Sequence, residues 1–344
     1  CSWALLVFPF IFSGCFFISS SAPLRSASTQ SESTKEYYAP IGSYSSFEEN
    51  LLATFEDYSH KRYFIQTPHG EISVEYFGRK EPSEDLILVF PLLGGRNGVE
   101  SYFARYFAEN GFDAAIINRD KEFKKAENFD KIEEIFRNNV IRDRIAMTFF
   151  EEKLGKKNFG SFGISRGAIN AALTAGIDPR MKYNVFAMGA QNLPGLIVES
   201  RERRLVSYVK DLTAERDITV EELRKLLSLK IKSDPRFYAQ NINPQNTLMF
   251  LALFDSSIPL EFGLELRRSA GYPDTVFLPA GHRTAALFTR FIPIFPFDYI
   301  EQESLNFYRR SFKRESATYS LVPIKILQIP FNLIGTLIDK IRRD

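Results

Sequence analysis

The sequence predicts an α/β fold in which a doubly wound, mostly parallel sheet carries helices on both faces. Short apolar segments typical of buried strands alternate with segments of helical periodicity. A G-x-S-x-G motif at residues 163–167 stands between one such strand and one such helix. An aspartate and a histidine follow later strands, so polar groups are expected at the carboxyl edge of the sheet, where such folds bind ligands.

The elements can be placed along the chain from their periodicity. A turn at Pro68-His69-Gly70 joins two segments of alternating apolar and polar residues, which predicts a β-hairpin. Beyond it, continuous apolar runs of the kind buried in parallel sheets alternate with amphipathic runs. The predicted strands are 63–66, 71–77, 86–90, 113–118, the run ending at Gly163, 183–188, 247–254 and 275–278. The predicted helices between them are the segment around 102–107, 132–153, the segment after Ser165 and 259–269.

This pattern assigns residues 58–192 and 246–315 to the α/β domain. Between them, residues 193–245 contain amphipathic helices with no strand, and Asp234-Pro235 opens a further short helix. We interpret 193–245 as a helical cap inserted before the acid-bearing strand. Two alternatives stay open, a lid above the strand ends or plain packing on the rim.

Composition excludes several function classes. The 344 residues can bury a large core, and 44 Lys and Arg against 42 Asp and Glu do not indicate a nucleic-acid surface. The only cysteines, Cys1 and Cys15, stand near the N-terminus, which excludes a zinc ribbon or a disulfide framework. Of the three histidines, His60 and His69 are expected to be solvated, which leaves His282 for chemistry.

Residues 1–22 are predicted to be an export signal or a membrane anchor, followed over 23–57 by a Ser-rich linker that passes into a short helix. Phe12-Ser13-Gly14-Cys15 resembles the bacterial lipobox and makes Cys15 a lipidation candidate. Phenylalanine at its first position departs from the usual leucine, and a basic stretch and an initiator Met are missing. A lipoprotein, a cleaved signal and a retained anchor stay open. The expected location is a membrane, the periplasm or the extracellular space.

Ser165 is the candidate nucleophile. Glycine on either side removes the Cβ atoms that would clash with strand and helix at the turn. A serine hydroxyl needs a base to take its proton, and the base needs a third group to hold its tautomer. Asp255 and His282 each follow a later strand, which predicts acid and base in the order Ser, Asp, His. Two other aspartates are alternatives for the acid. Asp234 is better explained as a helix N-cap, and Asp274 lies at the start of its strand, at the wrong end of the sheet.

Residues 86–282 resemble the α/β-hydrolase superfamily, in which serine, aspartate and histidine occur in the same order along the chain. The piece 247–287, with LFDSSIP and PAGHRTAAL, is similar to the prolyl-oligopeptidase-like and dienelactone-hydrolase-like branches. The resemblance implies an α/β-hydrolase fold and hydrolysis of a carboxylic ester or related acyl group by a serine triad, with no metal or cofactor. It implies no particular substrate.

Two backbone N–H groups are expected to bind the oxyanion formed on attack. One belongs to Arg166, and the other to the loop over residues 91–95, where Leu93 is our choice. Pro91 stands where a histidine is usual. The Arg166 side chain is expected to be solvated at the start of its helix, and an anchor for an acidic substrate is the alternative.

The apolar C-terminal tail over 316–344 has two interpretations. Pro323 and Pro330 argue against a single membrane-spanning helix. The segment 321–338 either lies in a membrane interface, with its basic end on the headgroups, or packs across the domain.

The leading hypothesis is a membrane-associated or exported serine hydrolase acting on a small-molecule or lipid ester with an apolar acyl part. A non-catalytic, anchored binding or scaffold protein is the second hypothesis. An acyltransferase that uses the same three residues is the third. The intact triad favours an enzyme, because a scaffold has no physical reason to keep all three groups.

Overall fold

The computed structural model describes residues 27–29, 31–81, 83–92, 98–120, 122–291, 297–312 and 322–342, and only the backbone of 322–327. The strands within these residues are β1 (Ser46–Thr54), β2 (Tyr58–Gln66), β3 (Ile72–Arg79), β4 (Asp85–Phe90), β5 (Asp113–Ile117), β6 (Asn158–Ile164), β7 (Met181–Ala187), β8 (Thr247–Ala252) and β9 (Asp274–Leu278). The helices are α1 (Glu32–Tyr37), α2 (Val99–Glu109), α3 (Ile132–Leu154), α4 (Arg166–Ile177), α5 (Leu193–Glu199), α6 (Arg203–Arg216), α7 (Val220–Lys230), α8 (Leu260–Ser269), α9 (Tyr299–Ser311) and α10 (Val322–Ile341).

The described strands form one sheet in the order β1-β2-β3-β5-β4-β6-β7-β8-β9. The pairs β1–β2, β2–β3 and β3–β5 are antiparallel, and every pair from β5 to β9 is parallel. The predicted mostly parallel α/β sheet is therefore confirmed. Because β4 lies between β5 and β6, the strand order reverses there, and a crevice is expected at the carboxyl ends of β4 and β6.

Helices cover both faces of this sheet, as predicted for a doubly wound fold. On one face α3, α4 and α8 pack on a core that includes Phe149, Phe150 and Ala168. On the other face α2 and α9 pack around Phe103 and Tyr308. Every residue of β4 and β5 is buried, which explains why their sequences lack polar alternation.

The linker over 23–57 contains a short helix, but the end of this segment, where the helix was expected, forms a strand. The helix comes earlier, as α1, and β1 pairs antiparallel with β2 along its length. Nearly all side chains of β1 are exposed and its register shifts between Leu51 and Ala53, so no two-residue alternation marks it in the sequence. Pairing with the edge of β2, a contact outside the segment itself, determines its conformation.

The described part of the C-terminal tail, 322–342, packs on the domain, which is the second of the two interpretations. Helix α10 lies against β9, the edge strand of the described sheet. The Gln328 side-chain amide donates to the Phe277 carbonyl oxygen, and Asn332 Oδ1 accepts the Phe277 N–H at 2.9 Å. These bonds satisfy backbone groups that an open sheet edge would leave exposed. None of the described helices has the length and apolar character needed to cross a membrane.

Replacing Asp339 tests whether this helix stabilises the domain. The buried Asp339 carboxylate bonds to the buried Arg267 guanidinium and, at 2.8 Å, to Arg268. We expect Asp339→Ala to lower the free energy of unfolding by about 3–5 kcal/mol, because the Arg267 guanidinium would stay buried without this carboxylate. Urea denaturation measures the loss.

Arg342→Ala, one residue beyond the end of the same helix, is the matched control. It removes a more exposed ion pair with Glu261 and should cost less than about 1 kcal/mol. Equally small losses in Asp339→Ala and Arg342→Ala would contradict the docking role of Asp339.

Candidate active site

Ser165 lies at a sharp turn between β6 and α4. Its backbone has φ 58° and ψ −125°, outside the regions an L-residue ordinarily adopts. A Cβ atom at Gly163 would lie 2.4 Å from the Gly167 carbonyl carbon, and one at Gly167 would lie 2.3 Å from the Phe90 oxygen. The two glycines therefore let β4, β6 and α4 meet behind the serine.

Ser165, His282 and Asp255 form a continuous row of hydrogen bonds. Ser165 Oγ lies 2.9 Å from His282 Nε2, and His282 Nδ1 lies 2.7 Å from Asp255 Oδ2. The other carboxylate oxygen of Asp255 accepts the N–H groups of Ser257 at 2.9 Å and Ile258 at 2.8 Å. With its proton on Nδ1, the imidazole presents an unprotonated Nε2 to the serine hydroxyl.

The pairing of β8 with β9 brings Asp255 and His282 to the same edge of the sheet. At the carboxyl ends of these strands, Leu253 N–H donates to Leu278 O at 2.9 Å and Phe254 N–H donates to Ala280 O at 3.0 Å. The loops that carry Asp255 and His282 therefore start from paired backbone. The Asp255 side chain is 2% exposed and the His282 ring 20% exposed, so the ring faces both the buried carboxylate and the solvent side.

The two other aspartates considered for the acid lie elsewhere. Asp234 caps the helical turn Pro235–Phe237, as predicted, by accepting the Arg236 N–H at 2.9 Å. It also accepts the N–H groups of Asn192 at 3.0 Å and Leu193 at 2.6 Å. It thereby joins the beginning of the 193–245 insertion to a later part of it. Asp274 begins β9, at the opposite edge of the sheet.

His60 and His69, expected to be solvated, are half-buried and make contacts that were not predicted. His69 Nε2 accepts the Ile41 N–H at 3.0 Å, and its Nδ1 lies 3.0 Å from Asn138 Oδ1. His60 stacks on the Phe77 ring with a centroid distance of 4.2 Å. These partners are distant in sequence or lie on another strand, so local composition gave no sign of them.

The backbone N–H of Arg166 lies at the first position of α4, beside Ser165. The first N–H groups of a helix have no partner within it, and they carry the positive end of the helix dipole. This position suits the oxyanion donor predicted for Arg166. Leu93 and Cys15 lie outside the described residues, so the second donor and the lipidation site stay predictions.

A cavity of about 450 Å³ lies over Ser165 and His282. Its volume is in the range of small-molecule sites, and its walls are mainly apolar. Part of the wall comes from the 193–245 insertion, through Leu196, Ile197 and Leu205. The insertion is helical as predicted and shapes the cavity, and its movement as a lid stays a prediction. In the described part of the chain, no three His, Cys, Asp or Glu side chains are grouped to hold a metal ion.

The prediction of a solvated Arg166 side chain is wrong. Its guanidinium carbon lies 4.5 Å from the Phe136 ring centroid and 5.1 Å from that of Phe123, and both rings line the cavity. Burial, with some repulsion from Arg119, lowers the pKa of Arg166 to about 9. Phe123 belongs to a charged stretch of sequence, 121–131, and Phe136 to the predicted helix 132–153, and neither segment indicated a contact with Arg166.

Solved structures of enzymes share this fold. Acetyl xylan esterase 1 from Thermoanaerobacterium sp. is 13% identical, with a TM-score of 0.56 over 84% of this chain and 96% of that one. An acetyl xylan esterase from Paenibacillus sp. R4 is 16% identical, with a TM-score of 0.55 over 79% and 97%. Acylaminoacyl peptidase from Pyrococcus horikoshii is 13% identical, with a TM-score of 0.54 over 80% of this chain and 47% of that one.

No family model and no curated protein match the chain. At the identities of these solved structures, the likeness shows the fold alone, which is that of the α/β-hydrolases.

Replacing Gly167 tests the contact behind the serine. In Gly167→Ala the new methyl group would meet the Phe90 carbonyl oxygen, so β4 and α4 must separate. We expect the free energy of unfolding to fall by about 1–3 kcal/mol, the usual cost of overpacking. Thermal unfolding measures this change, and an unaltered melting temperature would contradict the close contact.

Proposed function

We propose that the protein is a serine hydrolase that cleaves a carboxylic ester with an apolar part. Ser165 is the nucleophile, His282 is the general base and then the general acid, and Asp255 orients the His282 ring and stabilises its charged form. The observation that carries the proposal is the row of hydrogen bonds from Ser165 to Asp255 beneath an apolar cavity. These residues follow three separate strands, and their side chains nevertheless meet within hydrogen-bonding distance.

The first half of the reaction forms an acyl-enzyme. Ser165 Oγ attacks the ester carbonyl carbon while its proton passes to His282 Nε2, and Asp255 stabilises the resulting imidazolium. The Arg166 N–H binds the oxyanion, together with the predicted donor at Leu93. When the tetrahedral intermediate collapses, the bond to the alkoxide breaks and His282 returns the proton to the leaving alcohol.

The second half releases the acid. Water enters beside His282, which takes its proton as the oxygen attacks the acyl carbon. The bond to Ser165 Oγ then breaks, and the serine recovers its proton from His282. Acid and alcohol leave, and the enzyme returns to its starting state.

The names of the similar structures fit this chemistry. Two are called acetyl xylan esterases and one is called an acylaminoacyl peptidase, so their common element is an acyl group transferred to water. We propose no xylan or peptide substrate for this chain. The apolar cavity favours an ester with a hydrocarbon part.

Two other functions have distinct signatures. An acyltransferase would use the same residues and pass the acyl group to an alcohol or amine, so added acceptors would yield new esters or amides at the expense of free acid. A non-catalytic scaffold would turn over no ester. The close contacts of Ser165 with His282 and of His282 with Asp255 favour an enzyme.

Kinetics of three variants test the assignment of roles. Ser165→Ala and His282→Ala should each lower kcat for a 4-nitrophenyl ester by about 10⁴- to 10⁶-fold, because attack needs both groups. Asp255→Asn should lower kcat by about 10⁴-fold, since an amide in place of the carboxylate favours the wrong imidazole tautomer.

The kcat of each variant is compared with its unfolding curve, so that a loss of catalysis can be distinguished from a loss of folding. A folded Ser165→Ala protein that keeps the parent rate would contradict the assignment. Asp274→Asn, on β9 at the opposite edge of the sheet, is the matched control and should keep it.

We also propose that the enzyme works at a lipid surface after export, held by residues 1–22. The support is the apolar run over 2–19 with Cys15, together with an exposed apolar strip on α10. The strip consists of Leu333, Ile334, Leu337 and Ile341, and the last two are 57% and 64% exposed. A lipid anchor and a second weak contact together suffice for stable attachment.

Fractionation of cells expressing the full chain tests this location. The protein should sediment with membranes and be released by detergent, while Cys15→Ala should shift it toward the soluble fraction. In that background, Leu337→Ser with Ile341→Ser should reduce any remaining binding to anionic vesicles. Membrane attachment unaffected by Cys15→Ala would contradict lipidation at this residue.

A further inference from the structure

The Arg166 guanidinium lies in the walls of the cavity with no anion beside it. The guanidinium lies over the faces of Phe136 and Phe123, and Arg166 also lines a smaller cavity with Arg119, Asp120 and Asn139. No carboxylate of a described residue lies within 4.0 Å of its nitrogens. A cation removed from water is costly unless an anion or hydrogen-bond acceptors replace the water.

The neighbouring charges are already engaged with other partners. Arg119, whose charge repels that of Arg166, forms an ion pair with the buried Asp143. Asp234 attracts Arg166 from a distance, but its oxygens accept three backbone N–H groups at the insertion. The Arg166 guanidinium is therefore a cation that faces the cavity and forms no ion pair with a described residue.

The other charged residues of the cavity increase its positive character. Arg204 and Arg283 line it from exposed positions, and Glu202 is the acidic residue among its described lining. Three arginines against one glutamate give a positive field in a mainly apolar space. Such a field raises the local concentration of anionic substrates.

We infer that the ester cleaved by this enzyme carries a carboxylate, which the Arg166 side chain binds while Ser165 attacks the ester group. This inference rests on the proposed function and specifies its substrate class. Because the two residues are consecutive, Arg166 acts twice: its backbone N–H faces the oxyanion and its side chain selects the substrate. A planar guanidinium held against two aromatic rings presents a fixed fork of N–H groups, which suits a carboxylate.

The phenyl rings position the Arg166 guanidinium for binding a carboxylate. The cation–π contacts hold the guanidinium in place and do not neutralise it. With a pKa of about 9 it is charged at neutral pH, so it is ready to bind an anion. An uncharged ester of the same shape would leave it without a partner.

Paired substrates that differ in one charge test the inference. The first pair is mono-4-nitrophenyl adipate and its methyl ester, with the carboxylate in the acyl part. The second pair is 4-acetoxyphenylacetic acid and its methyl ester, with the carboxylate in the leaving group. The measured quantity is the ratio of kcat/KM for the acid over kcat/KM for its methyl ester, at pH 7.

In at least one pair, the parent enzyme should prefer the acid by about 10- to 100-fold, the value of a charge-assisted hydrogen bond in a desolvated site. Arg166→Met should bring that ratio close to one, mainly through KM. Arg166→Lys should keep part of the preference, because it retains the charge without the planar fork. Arg283→Gln, on the exposed side of the cavity, should change the ratio only a few-fold and lose this effect at high salt.

The outcomes separate this inference from the proposed function. If both methyl esters are cleaved and neither acid is preferred, the carboxylate inference is wrong and the hydrolase stands. If the acid is preferred and Arg166→Met preserves the ratio, Arg166 is not the anchor and the inference is likewise overturned. If no substrate of either pair is cleaved by folded enzyme, the proposed function fails first.

Discussion

The backbone at Ser165 is the constraint on which the rest of the site depends. An L-residue at φ 58° is strained, and the surrounding packing must compensate for that strain. Gly163 and Gly167 permit contacts at which any Cβ atom would clash, and the Ser165 N–H is tied to Ala187 O at 2.8 Å. Strands β4, β6 and β7 and helix α4 all meet at this turn. A buried core therefore supports the position of one hydroxyl group that faces the cavity, and Arg166 lies in the wall of the same cavity.

Much of the fold could be predicted from the sequence, because its central strands are buried on both faces and appear as unbroken apolar runs. The Ser165 turn was predictable for a different reason, since only glycine fits on either side of it. Asp255 and His282 followed from their places after strands, because parallel strands end at one edge. By contrast, β1 was missed, since an exposed edge strand with a bulge takes its conformation from its neighbour.

The contacts of Arg166 could not be predicted, because they join residues far apart in the chain. Phe123 lies in a short helical turn and Phe136 on α3, and their approach to α4 depends on how these elements pack. Sequence placed the arginine at a helix start, where solvation is usual. The structure instead puts this cation in a mainly apolar cavity wall beside Ser165, on the residue that begins the helix.

The most direct test of the central claim is labelling with a fluorophosphonate, which reacts with serines whose hydroxyl is activated by a base. Mass spectrometry of digested protein then identifies the modified residue. The expected result is one adduct on Ser165 in the parent protein and a much slower reaction in His282→Ala, because the base is lost. An adduct on another residue, or no adduct on a folded protein that the probe demonstrably enters, would contradict an activated nucleophile at Ser165.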